Sequence, residues 1–185
     1  MSAAAPAAPR VVPAAGETLW FLGTVARLKL TGEETGGRFA LWEGVLPNGA
    51  APPLHSHPQD ETFYILEGDV TVWIVEEQDA GDEAWVATHG RTCRAGAAAF
   101  APAGVAHTFR VESDTARMLF LSTPAGIEDY VRALAEPARW PWLPAAPDGP
   151  RVPPERLEAV ERQLGVVRHG PAPTREAPQP RPCVC

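Results

Sequence analysis

Cysteine is scarce in this chain: Cys93, Cys183 and Cys185 are the only three among 185 residues. So odd and sparse a set excludes the disulfide framework of a small secreted domain. No run approaches the ~20 apolar residues that a membrane helix needs, so a spanning helix is not expected. Basic charge is in deficit, with 16 Lys and Arg against 23 Asp and Glu and a net charge of −7. No positive face is left to neutralise phosphates, which argues against nucleic acid or an anionic membrane as a partner. The opening MSAAAPAAPR has no basic stretch followed by an apolar one, so no secretory signal is expected and the expected location is cytoplasmic. Cys183 and Cys185 invite reading as a metal clip or redox pair. Two thiolates make an incomplete site, however, and they end a proline-rich tail, so they are given no role.

What is present is enough for one core. Hydrophobic residues make up 45% and charged residues 21%, a globular balance. Sixteen glycines and 21 prolines, a fifth of the chain, favour turns over long helices. Residues 1–15 read as a flexible Ala/Pro arm. From Gly16 onward, short β-rich runs follow one another: 19–30, 38–46, 62–66, 70–75, 85–87, 97–101, 108–111 and 117–122. Runs at this spacing without helices between them predict an all-β sandwich or barrel of antiparallel strands. Residues 31–37 and 76–81 read as solvated hairpin loops. Past Pro124 the period becomes helical, with Ile127, Tyr130, Val131 and Leu134 on one helix that Pro137 ends. Pro153 and Pro154 open a second, which carries Leu157, Val160 and Leu164 and closes at Gly165. Residues 127–168 are therefore a helical segment, and 169–185 a flexible tail. The two tryptophans of Arg139-Trp-Pro-Trp-Leu-Pro144 are expected to pack on the β framework.

Three histidines and a glutamate carry the chemistry. His55, His57 and Glu61 occupy odd positions, which on extended chain share one face. Pro58-Gln59-Asp60 is turn-forming and can fold Glu61 back toward the pair, while His107 arrives from a separate strand. Three imidazoles and a carboxylate make a donor set for one divalent transition metal: Fe, Mn, Ni, Co, Cu or Zn all accept such ligands. Alternation from Glu61 and His107 turns Phe63, Ile65, Phe109 and Val111 inward, joined from the preceding strand by Phe39 and Leu41 or by Ala40 and Trp42. Such a pocket suits a flat, largely apolar small molecule. His89 and His169 are expected at the surface.

As a pattern, Gly49-x5-His55-x-His57-x3-Glu61-x6-Gly68 followed by Gly96-x5-Pro102-x-Gly104-x2-His107 resembles the two motifs of the cupin superfamily. The departure is Val111, where the second motif usually has asparagine. The resemblance covers roughly residues 38–124 and implies a jelly-roll β-barrel over 16–126, a short C-terminal helical extension, and one metal held by His55, His57, Glu61 and His107. Around the motifs, Trp20, Pro53-Leu-His-Ser-His57, Glu61-Thr-Phe-Tyr-Ile-Leu-Glu-Gly68 and a helix after Thr123-Pro-Ala-Gly126 are similar to single-domain bacterial cupins of the quercetinase-like kind. That likeness implies a dioxygenase that cleaves a flavonol-like, enolisable aromatic with O2, with Glu61 as both ligand and catalytic base. Two alternatives stand beside it: non-redox cyclisation, isomerisation or decarboxylation, and non-catalytic small-molecule binding. A homodimer is expected, through an unpaired sheet edge at 19–30 or 38–46.

Overall fold

A computed structural model describes residues 9–14, 16–75, 89–144, 152–172 and 181–182. The loop expected at 76–81, the strand expected at 85–87, most of the two terminal arms, and Cys183 and Cys185 lie outside these residues.

Thirteen strands are described, in chain order β1 (Glu17–Phe21), β2 (Thr24–Leu30), β3 (Ala40–Pro47), β4 (Leu54–Ser56), β5 (Asp60–Glu67), β6 (Asp69–Val75), β7 (Arg91–Arg94), β8 (Ala98–Ala101), β9 (Ala106–Val111), β10 (Thr115–Thr123), β11 (Ala135–Pro137), β12 (Val167–Gly170) and β13 (Arg181–Pro182). They form a seven-stranded sheet ordered β11-β1-β2-β3-β10-β5-β8 and a six-stranded sheet ordered β12-β4-β9-β6-β7-β13. Every pairing among the described residues is antiparallel except β13 with β7. This is a jelly roll, the all-β architecture expected.

The interior is built by alternation. On β5, Glu61, Phe63 and Ile65 are buried, and on β10 Ala116, Met118, Phe120 and Ser122 are. Leu28, Trp42, Phe63, Phe109 and Phe120 belong to one contiguous core between the sheets. On β3 the alternation that holds is the one with Ala40 and Trp42 inward.

Three expectations need correction. Residues 19–30 are not one strand: Leu22 (φ 47°) and Gly23 (φ 83°) make a two-residue hairpin turn, closed where the Thr24 hydroxyl donates to the Phe21 carbonyl at 2.7 Å. Positive φ at both central residues matches the right-handed twist of the flanking strands. The apolar pattern runs through it unbroken, so only Gly23 marks the turn. Residues 31–37 are not a solvated loop but one helical turn, α1 (Gly32–Thr35), with Thr31 and Thr35 buried. The Glu34 carboxylate accepts the Thr31 amide at 2.9 Å, and the buried Glu128 carboxylate accepts the amides of Gly32 at 2.6 Å and Gly126 at 2.7 Å. The sheet edges expected at 19–30 and 38–46 are covered, because β11 pairs with β1 and β3 lies between β2 and β10.

The helices fall where their periodicity places them. Ile127, Val131 and Leu134 bury one face of α2 (Ile127–Leu134). Pro sits at the start of α3 (Pro154–Leu164), and Gly165 ends it with φ 72°, a left-handed C-cap. Beyond that cap the chain reverses into β12, which pairs with β4. Trp140 packs edge-on against Trp20 with ring centroids 4.8 Å apart, while Trp142 lies over Trp140 and stays 64% exposed.

Candidate metal centre

The turn at Pro58-Gln59 does more than redirect the chain. His55 lies on β4 of the six-stranded sheet and Glu61 on β5 of the seven-stranded sheet, so residues 57–60 cross between the layers. The three odd-numbered residues therefore converge from facing sheets rather than along one strand. His107 comes from β9, directly opposite His55 in register. Its approach is set by a type II turn, in which Gly104 has φ 76° and the Val105 amide reaches the Pro102 carbonyl at 3.0 Å.

His55, His57 and His107 form one cluster whose ligand atoms all lie within 4.8 Å of one another. His107 packs with ring centroids 4.7 Å from His55 and 4.8 Å from His57. The Glu61 carboxylate faces it: Oε2 lies 3.3 Å from Nε2 of His57 and 3.3 Å from Nε2 of His107. His57, Glu61 and His107 are all buried.

Backbone carbonyls fix two of the ring tautomers. His55 Nδ1–H donates to the Pro53 carbonyl at 2.8 Å and His107 Nδ1–H to the Val105 carbonyl at 2.9 Å. With Nδ1–H committed to that carbonyl, the buried Nε2 of His107 is left facing inward and has no hydrogen-bond partner. Set 3.3 Å from a carboxylate oxygen, that nitrogen is stable only with a positive charge between the two, a proton or a metal ion. The Nδ1–H to carbonyl arrangement is the one that orients metal-binding imidazoles. The donor set thus fits a divalent cation. The spread of 4.8 Å is a little wider than the roughly 3–4 Å between ligand atoms around a bound ion, so the rings would have to draw slightly inward to hold one.

Burial, with a smaller contribution from neighbouring His107, pushes the His55 imidazole down to about 4. Burial pushes the Glu61 carboxyl up, but the facing His107 and His57 outweigh it and hold the group down at about 2. Near neutral pH this leaves a neutral imidazole at His55 and a carboxylate at Glu61, the protonation states that ligands require.

The cluster borders a cavity of about 270 Å³. Of the sequence-predicted pocket residues, Phe63, Phe109 and Trp42 line it, together with His55, His57 and Glu61. Ile65 and Val111 are buried in the same interior without reaching the lining, and Phe39 and Leu41 belong to the outward alternation next to Ala40 and Trp42. Phe120, missed from sequence, also lines the cavity and stacks on Trp42 at 3.8 Å with planes 5° apart. The far wall comes from the C-terminal segment through Tyr130, Leu157, Glu161 and Arg168. One sequence signal pointed there: Glu161 falls four residues after Leu157 and three before Leu164, a charge within the apolar stripe of α3. His169 is exposed, and its Nε2 lies 2.8 Å from the Ser56 hydroxyl.

Comparison with known proteins agrees with this architecture. A family model for the cupin domain matches residues 42–124. Quercetin 2,3-dioxygenase from Bacillus subtilis (strain 168) is 27% identical over 128 residues, covering 68% of this chain and 34% of that protein. The chain thus spans about a third of the length of that curated relative. Among solved structures, a point variant of Bacillus subtilis oxalate decarboxylase superposes with a TM-score of 0.50 at 20% identity, over 68% of this chain and 33% of that one. The TT1209 protein of Thermus thermophilus is 33% identical over 48% of this chain and 74% of that one, with a TM-score of 0.39. No helix among the described residues is long and apolar enough to cross a membrane. Two facing sheets, a three-histidine cluster between them and the family match identify residues 42–124 of this chain as a cupin domain.

Proposed function

We propose that the protein is a metal-dependent dioxygenase acting on a flat, enolisable aromatic of the flavonol type. The observation that carries this reading is the convergence of three imidazoles and the Glu61 carboxylate on one point at the wall of an aromatic cavity. The similarity to a quercetin 2,3-dioxygenase supports the reaction class.

His55, His57, His107 and Glu61 would hold the ion. A divalent transition metal there supplies Lewis acidity, which lowers the pKa of a bound hydroxyl, and access to O2 chemistry. The chain's own residues do the rest. Phe63, Phe109 and the Trp42–Phe120 stack sandwich a planar ring system and exclude water from it. Glu61, ionised and buried, accepts the proton of the substrate hydroxyl at its carboxylate, leaving the enolate that reacts. The fixed Nδ1–H tautomers of His55 and His107 keep their Nε2 lone pairs aimed at the centre throughout.

The test is O2 uptake by protein reconstituted separately with Fe, Mn, Co, Ni, Cu and Zn, assayed with a flavonol. Flavonol-dependent O2 consumption with at least one metal, abolished by chelation, is the expected result. Flavonol conversion that proceeds equally under strict anaerobiosis would overturn it.

A further inference from the structure

We infer that Tyr130, Glu161 and Arg168 form a polar recognition subsite in the cavity, reading a hydroxyl group that the substrate carries away from its metal-binding oxygens. The inference rests on the reading of the cavity as a pocket for a flat aromatic and names which member of that class it accepts.

Among the described residues, the cavity is apolar except in two places. Its polar lining consists of His55, His57 and Glu61 at the metal centre, Thr24, and the trio Tyr130, Glu161 and Arg168. The Thr24 hydroxyl is already donated to the Phe21 carbonyl. The trio is therefore the second polar pole of an otherwise aromatic chamber. It is assembled from three elements, α2, α3 and β12, the last two joined through the Gly165 cap. Arg168 stands opposite His55 in the β12–β4 register, so one ladder rung joins the two poles.

Glu161 is the centre of the trio. It is 8% exposed, and burying a carboxylate is costly unless donors surround it. Arg168 supplies Nε at 3.0 Å and Nη2 at 2.8 Å, both to Oε1, and the Tyr130 hydroxyl lies within reach of the Glu161 charge. Burial and then the Glu161 charge push the Tyr130 hydroxyl up to about 12, so it stays protonated and remains a donor. A carboxylate offers about four acceptor sites, two on each oxygen, and Arg168 uses both of those on Oε1. Oε2 is left to accept a donor from a ligand. A phenolic hydroxyl fits: it brings one proton to donate on the rim of a planar ring. A methoxy group brings none, and a carboxylate would meet the Glu161 charge. A purely structural latch between α2 and α3 would need no place in the cavity lining, and it would not distinguish one ligand hydroxyl from another.

The experiment measures anaerobic binding to the metal-loaded full chain, with no turnover. The probes are a polyhydroxylated flavonol and a series in which each ring hydroxyl except the metal-binding one is removed or methylated in turn. The expected result is one position at which removal and methylation each weaken binding by about tenfold to a hundredfold, as for a hydrogen bond to a charged group. That dependence should vanish in Glu161→Gln, whose affinity for the deoxy probe should stay within about twofold of wild type. Tyr130→Phe, which leaves the Glu161 carboxylate and its Arg168 pairing in place, should keep the dependence, and it serves as the second variant if Glu161→Gln fails to fold. Binding of all probes with equal affinity overturns the subsite while leaving the flavonol reading intact, and so does a dependence that persists in Glu161→Gln. If even the parent flavonol does not bind, the flavonol reading falls and the subsite falls with it.

Discussion

At the scale of single residues, the metal centre is a problem in charge compensation. Three buried polar groups and the half-buried His55 lie within contact of one another, and the backbone carbonyls of Pro53 and Val105 dictate which ring nitrogen of His55 and His107 carries the proton. Glu61→Gln should therefore separate two roles, since an amide oxygen still occupies the position but is a weak ligand and no base. We expect turnover to fall by about 100-fold or more while part of the metal remains, read by metal analysis beside a rate assay; full activity would remove Glu61 from the mechanism. The metal-free protein should also lose stability in acid. The folded-state pKa of His55, about 4, lies below its ordinary 6.5. The unfolded chain therefore binds more protons in that window, and stability present above pH 6.5 drains away as pH falls toward 4. Denaturant titrations of chelator-treated protein at about pH 7 and about pH 4.5 should differ by about 2 kcal/mol in that direction. Equal stabilities would mean that His55 titrates at its ordinary value in the folded chain.

At the scale of elements, how legible each part was follows from the range of the interactions that form it. Motif glycines and the Pro102-Ala-Gly104 turn were legible because a positive φ is a local demand. Gly68 is the clearest: it has φ 86°, and a Cβ there would lie 2.5 Å from the Thr115 carbonyl oxygen. Gly68→Ala should cost about 2 kcal/mol, through strain that no neighbouring backbone can relieve, and a melting curve unchanged from wild type would contradict this. His55, His57, Glu61 and His107 were legible from spacing, although their arrival from two sheets was not. β12 was invisible, because residues 167–170 have no period of their own and become a strand only by pairing with β4. Tyr130 and Arg168 joined the cavity unseen for the same reason: their place in its lining is decided by tertiary packing. Ending the chain before residue 152 should leave β4 without its β12 partner and the cavity without Leu157, Glu161 and Arg168. We expect the melting temperature to drop by about 10 °C and the metal to be lost more readily to chelators; no change in either would make the C-terminal segment an ornament.

At the scale of the whole molecule, the two sheets hold the donor set and the C-terminal segment closes the chamber beside it. The covered edges at β1 and β3 move the expected dimer contact elsewhere. Among the described residues the seven-stranded sheet ends at β11 and at β8, and the β8 edge is the apolar one: Phe100 is 54% exposed there and Tyr64 on adjoining β5 is 42% exposed. Light scattering should show a species of about twice the 19.8 kDa chain mass, which Phe100→Asp returns to the monomer. A monomer in the unaltered protein would refute it. None of this architecture has the proposed function unless the three imidazoles hold an ion together. The most direct measurement is the metal content of purified protein beside that of His55→Ala, His57→Ala and His107→Ala, each checked for folding by circular dichroism. The account predicts about one equivalent per chain in the unaltered protein and loss of most of it in every variant. Unchanged stoichiometry in two of the three folded variants would contradict it.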